Sequence, residues 1–148
     1  MKILTGFLGG FISILILLLL TRYTTYPLIM APFGATCVLL YAAAQSPLAQ
    51  PKNVILGHFI SALIGLVVLH TWGSSSLSIA FAVGLAIAAM QFLDCIHLPA
   101  GANPLVILLS PIPLHFDFLI FPVLLGAVVL VIISKINLIS AYRRLTLR

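Results

Sequence analysis

Long runs of apolar residues, separated by short polar or proline-bearing turns, fill almost the whole of this chain. A helix of about 20 residues crosses a hydrocarbon core of about 30 Å, so apolar runs of about 18 or more residues predict membrane spans. With 63% hydrophobic and 6% charged residues in 148, a soluble fold would have to bury nearly all of this surface in one small core. We therefore predict an all-α integral membrane protein whose residues 1–148 form a single transmembrane domain in the lipid bilayer.

Six apolar segments follow one another, and the second and fifth are short. From their first proline to the Ser-Pro pair that ends them, these two offer about 14 and 11 residues, or roughly 21 and 17 Å of helix. We predict a helical bundle of four long spans plus two short helices that begin with proline, which are either re-entrant or short crossings. The segments are Ile3–Leu20, Leu28–Ala44, Val54–His70, Leu77–Ile96, Leu98–Leu109 and Phe118–Ile133.

The two short segments begin and end alike, which indicates an internal repeat. Pro32–Thr36 (PFGAT) matches Pro99–Asn103 (PAGAN), and each segment stops at a Ser-Pro pair, at 46–47 and at 110–111. A weaker match joins 65–69 to 126–130. We predict a three-plus-three repeat, with halves 1–72 and 73–140 and a basic cytoplasmic tail at 141–148. Six crossings would make the halves inverted, whereas four crossings with two re-entrant segments would make them parallel.

The basic residues indicate orientation in a membrane and not a nucleic-acid surface, although the net charge is +5. Lys135, Arg143, Arg144 and Arg148 lie at or beyond the end of the last apolar segment, and such residues stay on the cytoplasmic side. Six crossings place Lys52 in the cytoplasm and four place it outside. Both topologies put the two termini in the cytoplasm, and we expect a bacterial inner membrane.

The proline starts have the chemistry of an anion site. A short helix that begins within the membrane leaves its first N–H groups without intrahelical partners and carries a partial positive charge there. The alternative is that the prolines and glycines only kink the helices and let neighbours pack closely. The predicted substrate-binding residues are Pro32, Gly34, Ala35, Thr36, Pro99, Gly101, Ala102 and Asn103.

Five further polar residues are candidates for lining a pathway or relaying protons: Gln50, Asn53, His58, Asp94 and His97. Asp94 and His97 share one face at helical spacing, although water at the membrane boundary would also satisfy both. His58 lies within an apolar segment, where it either faces a cavity or bonds a neighbouring helix. We find no nucleophile and base pair and no set of metal ligands, so we expect no enzyme activity, cofactor or metal.

Two stretches resemble the HPP family of small integral membrane proteins. Residues 31–58 look like its signature, and His97-Leu98-Pro99-Ala100-Gly101-Ala102 is similar to the His-Pro-Pro-Ala-Gly-Ala motif that names the family. The resemblance extends from about Ala31 to Leu109. This chain differs from the motif at Leu98, which stands where the motif has a proline. The resemblance implies four spans, and it implies nitrite as a substrate, since members in chloroplasts and cyanobacteria are linked to nitrite transport.

These observations predict a multi-pass transporter or channel for a small inorganic anion, which binds at the paired helix starts. Nitrite is the first candidate substrate, because of the family resemblance. Because six short segments make a thin bundle, we expect a homo-oligomer. A second hypothesis is a non-transporting subunit that packs within a larger membrane complex. A third is an intramembrane enzyme that acts on a lipid through His97 with Asp94 or Cys95.

Overall fold

The computed structural model describes residues 2–24 and 26–146, with side chains for residues 3–24 and 26–136. Arg148 and the side chains of Arg143 and Arg144, on which the predicted basic tail depends, lie outside the described residues. All regular structure in the described part of the chain is helical. The six α-helices are α1 (Lys2–Tyr23), α2 (Pro32–Ala42), α3 (Pro51–Trp72), α4 (Ser76–Phe92), α5 (Asn103–Leu108) and α6 (Leu125–Thr146).

Short irregular turns precede α3, α5 and α6. Three are 3₁₀ turns, at Pro47–Ala49, Leu98–Ala102 and Phe116–Leu119, and the fourth is a π turn at Ile120–Leu124. Proline occupies the first helical position of both α2 and α3, where its missing N–H is not required. Gly73 ends α3 with a φ of 72°, a conformation that glycine adopts without steric cost.

Three of the described helical segments are long and apolar enough to cross a membrane: Ile3–Tyr23, Pro51–Trp72 and Phe116–Ile136. The predicted fourth long span corresponds to α4, whose 17 residues give about 25 Å of helix. Large apolar side chains, including Phe7, Phe11 and Leu77, are exposed, as expected for surface that faces lipid. The all-helical membrane architecture is confirmed, while the number of crossings and the internal repeat stay predictions.

Helix α3 lies at the centre and packs against α4, α5 and α6, whereas α1 packs against α2 and α6. Four residues at successive four-residue steps of α3 hold the chain that connects α4 to α5. Asn53 donates to the Ile96 carbonyl at 3.1 Å, and Ser61 donates to the Ala100 carbonyl at 2.6 Å. Gly57 and Gly65 complete this row: a Cβ on Gly57 would lie 2.8 Å from Cβ of His97 in the connection, and a Cβ on Gly65 would lie 3.1 Å from Cα of Pro104 in α5. The small residues of α3 therefore set the position of the connection between α4 and α5.

A second close approach fixes α2 against α6. A Cβ on Gly126 would overlap the ring of Phe33, which is fully buried, and would lie 3.1 Å from the Leu28 carbonyl oxygen. We predict that Gly126→Ala lowers the free energy of unfolding by about 1–3 kcal/mol, because the backbone and a buried ring must both move. Gly10→Ala in α1 is the control, since nothing lies within 4 Å of its added Cβ. Thermal unfolding in detergent measures both, and equal midpoints would contradict this packing.

Candidate functional site

The two proline starts line opposite sides of one groove. Its cavity volume is about 630 Å³, and it opens on the surface between α2 and the chain that leads into α5. Residues from the matched motifs form both walls, so the sequence repeat brings the two segments to a single place. The lining consists of Ala31, Pro32, Ala35, Val38 and Leu39 on one side and Leu98, Pro99, Ala102, Leu105 and Val106 on the other.

The backbone donors at the two starts are already in use. The N–H of Phe33 donates to the Met30 carbonyl at 3.0 Å, and the N–H of Gly34 donates to the Ala31 carbonyl at 3.1 Å. In the second segment, the N–H of Ala100 donates to the His97 carbonyl at 3.0 Å. An anion in the groove would therefore depend on side-chain donors more than on these N–H groups.

Such side chains form a cluster of four residues, Thr36, His58, His97 and Asn103, all fully buried. The Thr36 hydroxyl lies 2.9 Å from Nε2 of His58 and 3.0 Å from Nε2 of His97. The Asn103 amide nitrogen lies 3.2 Å from Nδ1 of His58 and donates to the His58 carbonyl at 2.9 Å. None of the four residues lines the groove, although Thr36 and Asn103 directly follow the lining residues Ala35 and Ala102 along the chain.

The equivalent residues of the two motifs contact the same histidine. Thr36 and Asn103 each stand four residues after the motif proline, and they bond opposite nitrogens of the His58 ring. The Ser-Pro ends are also alike, since Ser46 Oγ accepts from the N–H of Leu48 and Ser110 Oγ accepts from the N–H of Ile112. The two short segments thus share these side-chain contacts, although Pro32 begins an α-helix and Pro99 lies in a 3₁₀ turn.

His97 is fixed by its surroundings, although it lies in a connection outside the helices. Its Nδ1 is 2.9 Å from the Leu48 carbonyl, an acceptor, so Nδ1 carries a proton and Nε2 points at Thr36. Asn53 holds the two flanking turns through the carbonyls of Pro47 and Ile96, both at 3.1 Å. Asn53 therefore supports the site from outside and does not contact the cluster.

Two of the predicted relay residues lie at the surface. Asp94 is exposed, and its carboxylate is 3.8 Å from the ammonium of Lys52, which is half exposed. Gln50 is exposed at the start of α3 and makes no side-chain cap there. Gly34 is exposed and Gly101 is partly so, and nothing lies within 4 Å of a Cβ on either. Of the five residues predicted to line a pathway or relay protons, only His58 and His97 belong to the buried cluster.

Two partners in this region were missed from the sequence. The Leu48 carbonyl, which orients His97, is a backbone group and carries no residue signature. Ser61 could have been recognised, because it falls between Gly57 and Gly65 at four-residue spacing, a pattern typical of close helix contacts.

Comparison with known proteins decides the family. A family model described as HPP, transmembrane region, matches residues 1–144. This chain belongs to the HPP transmembrane family. Two transmembrane proteins of Dictyostelium discoideum are similar to this HPP chain, one 38% identical over 113 residues and the other 33% identical over 114. The matches cover 71% and 73% of the HPP chain but only 36% and 40% of those proteins. The chain thus spans less than half the length of these relatives, and no solved structure matches it.

Leu98 stands where the family motif has its second proline, and His97 before it is extended. His97 has φ −134° and ψ 106°, the extended conformation that a following proline requires. Leu98 is 64% exposed and lines the groove. The backbone conformation at His97 is therefore compatible with a proline at this position, and Leu98 contributes an apolar side chain to the groove wall.

Proposed function

We propose that this HPP protein is a membrane transporter or channel for a small inorganic anion, with nitrite as the first candidate, and not an enzyme. The observation that carries the proposal is the convergence of the matched segments: both line one groove, and their equivalent polar residues bond one buried histidine. Nitrite is small and monovalent, so the hydroxyl, amide and imidazole groups of the cluster suffice to bind it. The binding residues are Thr36, His58, His97 and Asn103.

Similar glycine contacts in the two predicted halves support this proposal. Gly65 of the first half packs against Pro104 and Ile107, next to the second motif, and Gly126 of the second half packs against Phe33 in the first motif. Each half thus places its glycine-bearing helix against the short segment of the other half. Secondary transporters commonly bind substrate between two such repeats at interrupted helices.

We further propose that copies of the chain associate as a homo-oligomer. The protein would lie in a bacterial inner membrane with both termini on the cytoplasmic side. The groove is open on the surface of a single chain, and a pathway through the bilayer needs a surrounding wall. The distribution of lysine and arginine supports the orientation of the termini.

Nitrite uptake into vesicles tests the function. Purified protein is reconstituted, external nitrite is added and removed, and internal nitrite is measured against protein-free vesicles. Ala35 and Ala102 line the groove, and the double substitution Ala35→Leu, Ala102→Leu would fill it. We expect this variant to reduce nitrite uptake by about tenfold or more. Ala80→Leu, at an exposed position of α4, is the control. Wild-type uptake equal to that of empty vesicles would overturn the proposal.

A non-transporting subunit is the second candidate, favoured by the apolar lining of the groove and by the greater length of the relatives. On this alternative, a helix of another protein fills the groove. Purification from native membranes would then yield a companion in fixed ratio, and the reconstituted chain alone would move no nitrite.

A further inference from the structure

The Thr36 hydroxyl has three partners in the buried cluster, and it cannot bond all three in every protonation state. Its oxygen lies 2.9 Å from Nε2 of His58, 3.0 Å from Nε2 of His97 and 3.2 Å from the Pro32 carbonyl oxygen. A hydroxyl has one hydrogen to donate and two lone pairs that accept. The positions of the protons in the cluster therefore follow from counting donors and acceptors.

When both imidazoles are neutral, one arrangement satisfies the two rings. His97 has its proton on Nδ1, bonded to the Leu48 carbonyl, so its Nε2 accepts the hydrogen of Thr36. That hydrogen is then used, so His58 must donate from Nε2 to Thr36, and its Nδ1 accepts from the Asn103 amide. In this state Thr36 has no hydrogen left for the Pro32 carbonyl.

One added proton makes all three contacts of Thr36 hydrogen bonds at once. With a proton on its Nε2, His97 donates to Thr36, His58 also donates to Thr36, and the hydroxyl turns to donate to the Pro32 carbonyl. The two lone pairs and the one hydrogen of Thr36 are then all in use. No heavy atom needs to move, because the three distances are already those of hydrogen bonds.

A protonated His97 would have no negatively charged side chain beside it in the cluster. A bound anion would provide the opposite charge. Among the described side chains near the cluster, Lys52 and Asp94 pair with each other at the surface, and Cys95 is a buried thiol on the same connection as His97. Burial lowers the pKa of His97 to about 4, against the opposing effect of the Leu48 carbonyl, so the His97 imidazole is neutral at pH 7 in the absence of an anion. A nearby anion favours the protonated imidazole, and by linkage the protonated imidazole favours the anion.

We propose that Thr36, His58 and His97 form a proton site and that this protein carries a proton together with each anion. The inference rests on the proposed anion transport and names its co-substrate. The proton comes from water on the side where the anion enters, binds Nε2 of His97 and returns to water when the anion leaves. The transported unit is therefore electrically neutral, which removes the charge from the membrane crossing.

Proton uptake on nitrite binding tests the site without requiring transport. Purified protein in detergent, in weakly buffered solution near pH 7 with a pH-indicator dye, receives sodium nitrite adjusted to the same pH. We expect uptake of about one proton per protein at saturating nitrite. Sodium chloride at equal concentration corrects for ionic strength. No proton uptake by the folded wild-type protein would overturn the inference.

Substitutions at Thr36 separate the hydroxyl from the shape of the side chain. Thr36→Val keeps the shape but removes the hydroxyl, and we expect the proton uptake to disappear. Thr36→Ser restores a hydroxyl and should restore the uptake. Thr71→Val is the matched control, because the Thr71 hydroxyl bonds only backbone carbonyls on an exposed face of α3. Size-exclusion profiles show whether each variant is folded, and uptake retained in folded Thr36→Val would contradict the assignment.

Vesicle measurements distinguish failure of the inference from failure of the proposed function. An inward nitrite gradient should acidify the lumen in proportion to nitrite entry, and a clamped membrane potential should not change the rate. Nitrite entry without acidification beyond that of empty vesicles overturns proton coupling and leaves anion transport standing. Proton uptake on nitrite binding without any flux would support the site and overturn transport, and the absence of both overturns both.

Discussion

Replacement of Gly57 by alanine is expected to displace the connection that carries His97 and to destabilise the protein. A Cβ at this position would lie 2.8 Å from Cβ of His97 and 3.0 Å from the Cys95 carbonyl oxygen. Both atoms belong to a connection that is held by Asn53 and Ser61, so it cannot move freely. We expect the free energy of unfolding to fall by about 1–3 kcal/mol, as for overpacked cores, despite the higher helix propensity of alanine.

Gly84→Ala in α4 is the matched control for this substitution. It also lies within a helix, but nothing is within 4 Å of its added Cβ, so only the helix propensity changes. We expect it to be neutral or to stabilise by up to about 1 kcal/mol. Thermal unfolding in the same detergent compares the two. If Gly57→Ala were as stable as Gly84→Ala, the close contact between α3 and this connection would be wrong.

Substitution of His97 by leucine is expected to reduce nitrite uptake to the level of empty vesicles. The change removes the bond to the Leu48 carbonyl and the bond to Thr36, and it removes the group that takes the proton. Leaving buried polar groups without partners costs about 1–3 kcal/mol for each, so the variant should also unfold at a lower temperature. Uptake is therefore compared per amount of monodisperse protein.

His115→Leu is the control for His97→Leu, since it makes the same change at an exposed histidine. Its uptake should equal that of wild type. Normal uptake by folded His97→Leu would show that the buried cluster is not on the path of the anion. Loss in both variants would indicate an effect of the substitution type and not of the site.

The sequence predicted the helices well because their lengths and composition follow from the membrane. Pro32 begins α2 as predicted, whereas Pro99 lies in the 3₁₀ turn Leu98–Ala102 and α5 begins only at Asn103. The long apolar segments coincide with helices of the described chain. The irregular entry to α6 was not expected, since the predicted apolar segment Phe118–Ile133 begins within a 3₁₀ turn, Phe116–Leu119, and continues through a π turn, Ile120–Leu124. Composition alone does not reveal such breaks.

The sequence pointed to several residues that the structure brings together, but it could not show how they contact one another. The pairing of Pro32–Thr36 with Pro99–Asn103 pointed to one place, and both segments do line one groove. Asp94 and His97 were considered as one possible relay pair, with satisfaction by boundary water as the alternative; in the structure the Asp94 carboxylate lies near Lys52 at the surface, whereas His97 is buried. Helical spacing suggested that pair, but the chain leaves the helix after Phe92, and Asp94 adopts a φ of 48°. The link from Thr36 to two histidines depends on tertiary packing and has no signature in the sequence.

The most direct test of the central claim, that the two matched segments form one anion site, is thermal unfolding of the purified protein with and without nitrite. A ligand that binds only the folded state stabilises it by about 2.7 kcal/mol at a concentration of 100 times Kd. Sodium nitrite should therefore raise the Tm of the wild-type protein above its value in equal sodium chloride, and it should not raise that of Asn103→Leu or Thr36→Val. Equal shifts in all three proteins, or no shift in the wild type, would contradict the account.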